Sequence, residues 1–267
     1  WDHLVQDHDA TKDNFGVVEE HPELIDVNFK RGPRADWTHI NSVDHNARLD
    51  QIIVSVHNLS EVWVIDHSTT TGEAAGHTGG RWGRGGDLLY RWGNPRVYRA
   101  GTFDDQQLFV QHDAHWIPEG LPGEEEILIF NNGISDSSVV QMVPPGEGDG
   151  VYPLTDGVWG PDAPKWVYSD PGEFFALNIS GAQRLPGDTT LICSGPWGHV
   201  FEVTREGEIL WSYVSPVTAF GILHQGEEMV GGPSGTPNKL FRAYRYGPDH
   251  PAFEGRDLTP GDYIELP

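Results

Sequence analysis

Ser180-Gly181-Ala182-Gln183-Arg184-Leu185-Pro186-Gly187-Asp188-Thr189-Thr190-Leu191-Ile192-Cys193 is the stretch that decides the fold. Pro186-Gly187-Asp188 is a turn between two short runs of strand-forming residues. The pattern continues in His199-Val200-Phe201-Glu202-Val203-Thr204, a turn at Arg205-Glu206-Gly207, and Glu208-Ile209-Leu210-Trp211-Ser212-Tyr213. The unit thus reads as four short strands, the last bearing aromatic residues. The same order occurs upstream in His39-Ile40-Asn41-Ser42-Val43, Gln51-Ile52-Ile53-Val54-Ser55, Glu61-Val62-Trp63-Val64-Ile65-Asp66 and Asp87-Leu88-Leu89-Tyr90-Arg91-Trp92-Gly93. A second unit runs through residues 112–117, 127–130, 137–142 and 165–168. A fourth begins at Gly221-Ile222-Leu223-His224 and includes Glu228-Met229-Val230 and residues 239–245.

A four-stranded unit that cannot bury both faces until its neighbours stack on it is a propeller blade. The sequence therefore predicts an all-β chain, a β-propeller with about four blades visible. Units recur roughly every 65–75 residues, against ~40–50 for compact blades, so the loops carry insertions, chiefly residues 72–86 and 144–164. Residues 1–36 hold no full blade and read as an N-terminal extension or the remnant of a preceding blade. Residues 37–267 read as blades of one domain. Missing blades predict an open edge, covered by a further segment or by a second chain.

The composition agrees with a turn-rich β protein, with 33 Gly, 20 Pro and 10 Trp among 267 residues. A formal net charge of −23 argues against nucleic acid or an anionic membrane surface as partner. It also requires any anionic substrate to meet a local donor-rich patch. Cys193 stands alone, so no intrachain disulfide forms, and its strand context suits a small core residue. No run reaches the apolar length of a membrane span.

The chemistry-bearing residues concentrate between residues 37 and 116. Asp36-Trp37-Thr38-His39-Ile40-Asn41-Ser42, Ser55-Val56-His57-Asn58 and Gln111-His112-Asp113-Ala114-His115-Trp116 place four histidines and an amide at strand starts and ends. In a propeller the innermost strand of each blade lines the axial channel. His39, Asn41, His57 and His112 are therefore expected to converge within reach of one small anion or one metal ion.

These motifs, with Trp63-Val64-Ile65-Asp66, Tyr90-Arg91-Trp92-Gly93 and Phe130-Asn131-Asn132-Gly133, resemble the bacterial arylsulfotransferase (aryl-sulfate sulfotransferase) family over most of the chain. The resemblance implies a six-bladed propeller that moves sulfate from an aryl sulfate ester to a phenolic acceptor. It also implies a histidine intermediate, no nucleotide sulfate donor and a periplasmic or secreted location. Carried over by position, His112 is the nucleophile, and His39 and Asn41 form the His-x-Asn pair that holds sulfuryl oxygens. Asn131 and His115 are further substrate-contact candidates, although His115, two residues after Asp113, also suits a structural place. His57 stands where the family has a sulfate-binding arginine, and a further family histidine falls upstream of Trp1.

Two other readings stay open. The propeller can be a non-catalytic module that binds a ligand or protein at its funnel, since one fold hosts many functions. The histidines can also hold a metal in a metal-dependent hydrolase, although no HExxH or CxxC spacing supports a resident cofactor. The glycine-rich residues 72–86 lack the Lys-Ser/Thr and the following helix of a phosphate-binding loop. Acidic runs such as Glu124-Glu125-Glu126 lack calcium-loop spacing.

Overall fold

The computed structural model describes residues 2–29, 35–146 and 148–267. Three of the four units form four-stranded antiparallel sheets. The first sheet comprises β1 (Ile40–Asn46), β2 (Gln51–Val56), β3 (Glu61–Asp66) and β4 (Leu88–Trp92). The second comprises β5 (His112–Trp116), β6 (Ile127–Asn131), β7 (Ser138–Met142) and β8 (Trp166–Ser169). The third comprises β9 (Gly181–Arg184), β10 (Thr190–Ser194), β11 (His199–Val203) and β12 (Ile209–Val214).

In each sheet the strands lie in chain order, as expected where short turns join antiparallel neighbours. The first strands of the three sheets stand next to one another. Ser42 Oγ donates to the Ala114 carbonyl at 3.2 Å, and Asp44 Oδ2 accepts from Trp116 N at 3.0 Å. Asp113 Oδ2 accepts from Ala182 N at 3.1 Å, which links β5 to β9.

Alternation along β6 explains the stacking. Ile127 and Ile129 pack with Ile53, Val62, Val64 and Trp92 of the first sheet. Leu128 and Phe130 face the other way, onto Ala182, Ile192, Phe201 and Val203 of the third. A central strand buried on both faces accordingly carries no polar residue until Asn131.

Arg91 in β4 is fully buried with Glu61 of β3, its Nη2 donating to Glu61 Oε2 at 2.5 Å. Its guanidinium lies over the Trp63 and Tyr98 rings, which is how a buried arginine is accommodated on the outer side of the sheet. Burial raises the Glu61 carboxyl, and the neighbouring Arg91 opposes that shift. Cys193 lies in the outer core of the third sheet, and burial pushes its thiol up to about 12.

The fourth expected blade does not form. Gly221–Ile222 pairs only with Val217–Thr218, and residues 228–230 and 239–245 form no strand. The intervening Gly231-Gly232-Pro233-Ser234-Gly235-Thr236-Pro237 supplies two prolines without N–H donors and three glycines with little strand preference. The last part of this unit instead lies along β9. Phe241 O accepts from Ser180 N at 2.8 Å, and Gln183 Oε1 accepts from Arg245 N at 2.7 Å. The described residues contain three stacked sheets and no closed ring.

In the segment 1–36, residues 1 and 30–34 lie outside the described residues, and the described ones form no four-stranded sheet. Leu4–Val5 pairs in parallel with Ile25–Asp26, and Leu88 N at the head of β4 donates to Glu23 O at 3.0 Å. Arg91 Nη1 donates to the carbonyls of Pro22 and Leu24, so the segment is held against the outer side of the first sheet.

Candidate active site

Three histidine rings meet at one end of the inner strands. His39 immediately precedes β1, His57 immediately follows β2, and His112 opens β5. Antiparallel pairing of β1 with β2 brings the first two together, with His57 N donating to His39 O. Their ring centroids lie 4.8 Å apart, and His57 lies 5.3 Å from His112 in an edge-on arrangement. Exposure falls along the series, from the half-exposed His39 to His112, which is 4% exposed. The half-exposed Phe241 ring stands edge to face with His112, 6.4 Å away.

The protons on these rings can be assigned from their partners. Asn132 is fully buried, and its Nδ2 donates to the carbonyls of Ala176 at 2.7 Å and Ile179 at 3.1 Å. Its Oδ1 must therefore be the atom that meets His112 Nδ1 at 2.7 Å, so Nδ1 carries the proton. In the neutral ring, Nε2 is left with the lone pair. Burial pushes the His112 pKa down to about 4 against the opposing bonds to Asn132 and the Val110 backbone, and nearby His57 and His39 act in the same direction as burial. His112 is thus a neutral imidazole of fixed tautomer at neutral pH.

The same reasoning applies to His57. Asn58 Nδ2 donates to Asp36 O at 2.7 Å, so Asn58 Oδ1 accepts from His57 Nδ1 at 2.8 Å. Asp36 Oδ2 bonds His39 Nδ1, and that bond holds the Asp36 carboxyl below the usual carboxylate range.

Asn41 lies at a bulge in β1, and its Nδ2 donates to Gln111 O at 2.8 Å. It ties β1 to the residue just before His112. Asn131 points elsewhere. Its Oδ1 accepts from Phe109 N at 2.8 Å, which fixes the loop entering β5. Its neighbour Asn132, which sequence reasoning left without a role, is the residue on His112. The signal available was the Asn131-Asn132 pair itself, but adjacent strand-end residues point in different directions and composition cannot choose between them.

His115 is not brought into the ring cluster. A bulge in β5 pairs His112 with Phe130 but His115 with Leu128, and His115 Nδ1 bonds the Asp113 carbonyl at 2.8 Å. It lines a separate cavity of about 260 Å³ with Asp44, Arg242 and Tyr244. Three non-glycine residues of this region have left-handed backbone: His39 (φ 50°), Val110 (φ 51°) and Asp113 (φ 55°). Each costs about 1–3 kcal/mol, most for the β-branched Val110, and surrounding bonds must hold it.

Ligand atoms of His, Asp or Glu approach within 4.8 Å of one another in two described groups, His3–His77–Asp87 and His45–Asp50–His67. The ring trio of His39, His57 and His112 is not among them.

Fold and site together define an all-β protein of stacked antiparallel sheets with a histidine cluster where its inner strands end. The chain belongs to the arylsulfotransferase (ASST) family, whose sequence profile matches residues 3–209. No curated protein matches it. Among solved structures, it is similar to a protein of unknown function from Bacteroides caccae at 13% identity and TM-score 0.38, covering 68% of this chain and 48% of that one. A streptogramin B lyase is similar at 11% identity and TM-score 0.33, covering 72% of this chain and 59% of that one. The chain therefore spans about half the length of these proteins. No helix among the described residues is long and apolar enough to cross a membrane.

Proposed function

We propose that the chain transfers a sulfuryl group from an aryl sulfate ester to a phenolic acceptor through His112, without a nucleotide donor. The observation that carries this reading is the chain of hydrogen bonds from the Ala176 and Ile179 carbonyls through Asn132 to His112 Nδ1. It presents Nε2 as an unprotonated nucleophile in a buried site.

In the first half-reaction the Nε2 lone pair attacks sulfur, the N–S bond forms, and the aryl S–O bond breaks. The phenolate departs with the electron pair. In the second, the acceptor oxygen attacks sulfur, its proton is taken up, and the N–S pair returns to the ring. His39 is the group for these proton transfers: Asp36 binds its Nδ1, so Nε2 serves the solvent side. His57 and Asn41 border the reacting region, and His57 takes the place of the family arginine as the contact for sulfuryl oxygens. His115 and Asn131 act on the surrounding frame, through the β5 bulge and the Phe109 turn. No metal or other cofactor enters these steps.

The same reading takes the three sheets as part of a six-bladed ring, completed by further sheets of the same or another chain, and places the protein in the periplasm or outside the cell.

A chromogenic phenyl sulfate with a phenol acceptor tests the proposal. We expect wild-type protein to release phenol with acceptor-dependent turnover, and His112→Ala to lose at least a hundredfold in kcat. Equal rates for the two proteins would favour a non-catalytic binding module.

A further inference from the structure

We propose that His3, His77 and Asp87 form a zinc site, separate from the histidine cluster, that fastens the N-terminal segment to the glycine-rich loop of the first sheet. Asp87 lies at the foot of β4 and its side chain is almost wholly buried. His3 Nδ1 lies 2.8 Å from Asp87 Oδ1, and His77 Nδ1 lies 2.9 Å and 3.0 Å from its two oxygens. The two imidazole rings stand edge to face, 5.7 Å apart.

The partner of His3 on its other side makes this more than a cluster of polar groups. His3 Nε2 lies 2.8 Å from the Ala74 carbonyl, which can only accept, so Nε2 carries a proton. Nδ1 is then the atom that faces the oxygens of Asp87, at a distance where either a proton or a metal ion can bridge nitrogen and oxygen. A ligating imidazole whose second nitrogen donates to a backbone carbonyl is the usual arrangement around a bound metal.

The loop is shaped to allow this. A Cβ on Gly86 would meet the Ala74 carbonyl at 2.2 Å and His3 Nε2 at 2.8 Å, so only glycine lets the ring and the carbonyl approach. A Cβ on Gly85 would meet the Gly76 carbonyl at 2.1 Å. The glycines that fail as a phosphate cradle therefore fold residues 76–86 tightly around the three candidate ligands.

Two imidazoles and one carboxylate suit zinc and exclude calcium or magnesium, which prefer all-oxygen shells. Zinc bonds of about 2.0–2.2 Å in a tetrahedron set ligand atoms roughly 3.3–3.6 Å apart, so the three must open by about half an ångström. His77 is half-exposed, which leaves the fourth position to water. The outermost strand β4 begins at this site and β1 carries the other, so the two are roughly 14 Å or more apart across the sheet.

The test uses the whole chain freed of metal with a chelator. The surface group His45–Asp50–His67 is first disabled by His45→Ala with His67→Ala, so that only one candidate remains. We expect this protein to bind one zinc ion by calorimetry and metal analysis, with a zinc-dependent rise in Tm. His77→Ala, an exposed loop substitution, should weaken binding at least tenfold and abolish the Tm rise, as should Asp87→Asn. His112→Ala should leave zinc affinity unchanged, whatever its sulfotransfer activity. Equal zinc affinity in the His77→Ala protein, or no binding at micromolar zinc, would overturn the site and leave a metal-free His–Asp–His cluster.

Discussion

His112 takes its tautomer from an amide partner. Asn132 fixes the ring as a carboxylate would, but adds no negative charge that would raise its basicity, so burial dominates and the pKa falls to about 4. That difference from its ordinary 6.5 is a stability statement. Between the two values the unfolded chain binds a proton that the folded chain does not. The stabilisation is whole above 6.5 and is lost as pH falls to about 4, in all about 3 kcal/mol. Urea unfolding of wild type and His112→Asn across this window should show the variant with a shallower acid slope. Parallel slopes would mean that His112 is not held neutral.

The bulge in β5 is the element that separates what the sequence could tell from what it could not. Its left-handed Asp113 turns a buried carboxylate toward the third sheet. There Oδ2 takes the Ala182 N–H, and Oδ1 takes Arg242 Nη1 at 2.7 Å and the Tyr244 hydroxyl at 2.8 Å. Asp113→Ala should lose about 2–4 kcal/mol in denaturant unfolding, because it leaves a buried N–H and a guanidinium unpaired. Asp113→Asn keeps an acceptor and should lose less; equal loss would point to the backbone rather than the carboxylate.

The short apolar runs of residues 51–55, 127–130 and 189–193, each set off by turn residues, made three sheets legible, since a run and its turns are local information. Bulges are not local, and the extra residue at Asp113 decides which cross-strand partners His112 and His115 meet. The fourth unit misled for a related reason. Phe241-Arg242-Ala243-Tyr244 has strand composition, but its partners are the Ser180 amide, the Asp113 carboxylate and the outer core of the third sheet. His39, Asn41, His57 and His112 were expected together because each lies at or beside a strand end, where side chains from different sheets meet.

At the scale of the molecule, the two inter-sheet cores contrast with the outermost strand of the third sheet. In β12, Ile209 (55% exposed), Leu210 (56%), Trp211 (44%) and Val214 (49%) face solvent, and only β11 pairs with the strand. A long apolar edge of this kind invites pairing with another chain. Leu210→Lys with Val214→Lys should lower self-association in light scattering while changing unfolding free energy by no more than about 0.5 kcal/mol per site. Unchanged scattering would place any association elsewhere.

The proposed reaction centre is assembled from positions widely separated along the chain. His39 and His57 come from the first sheet and His112 and Asn132 from the second. The carbonyls that orient Asn132 lie just before the third, and Phe241 follows it. During synthesis the first two histidines emerge long before the groups that decide which nitrogen of His112 carries the proton. Long-range contacts form last, because their loops must close first. A half-folded chain therefore holds the three histidines of the cluster but no oriented His112 ring, which is set only once the segment leading into the third sheet has docked.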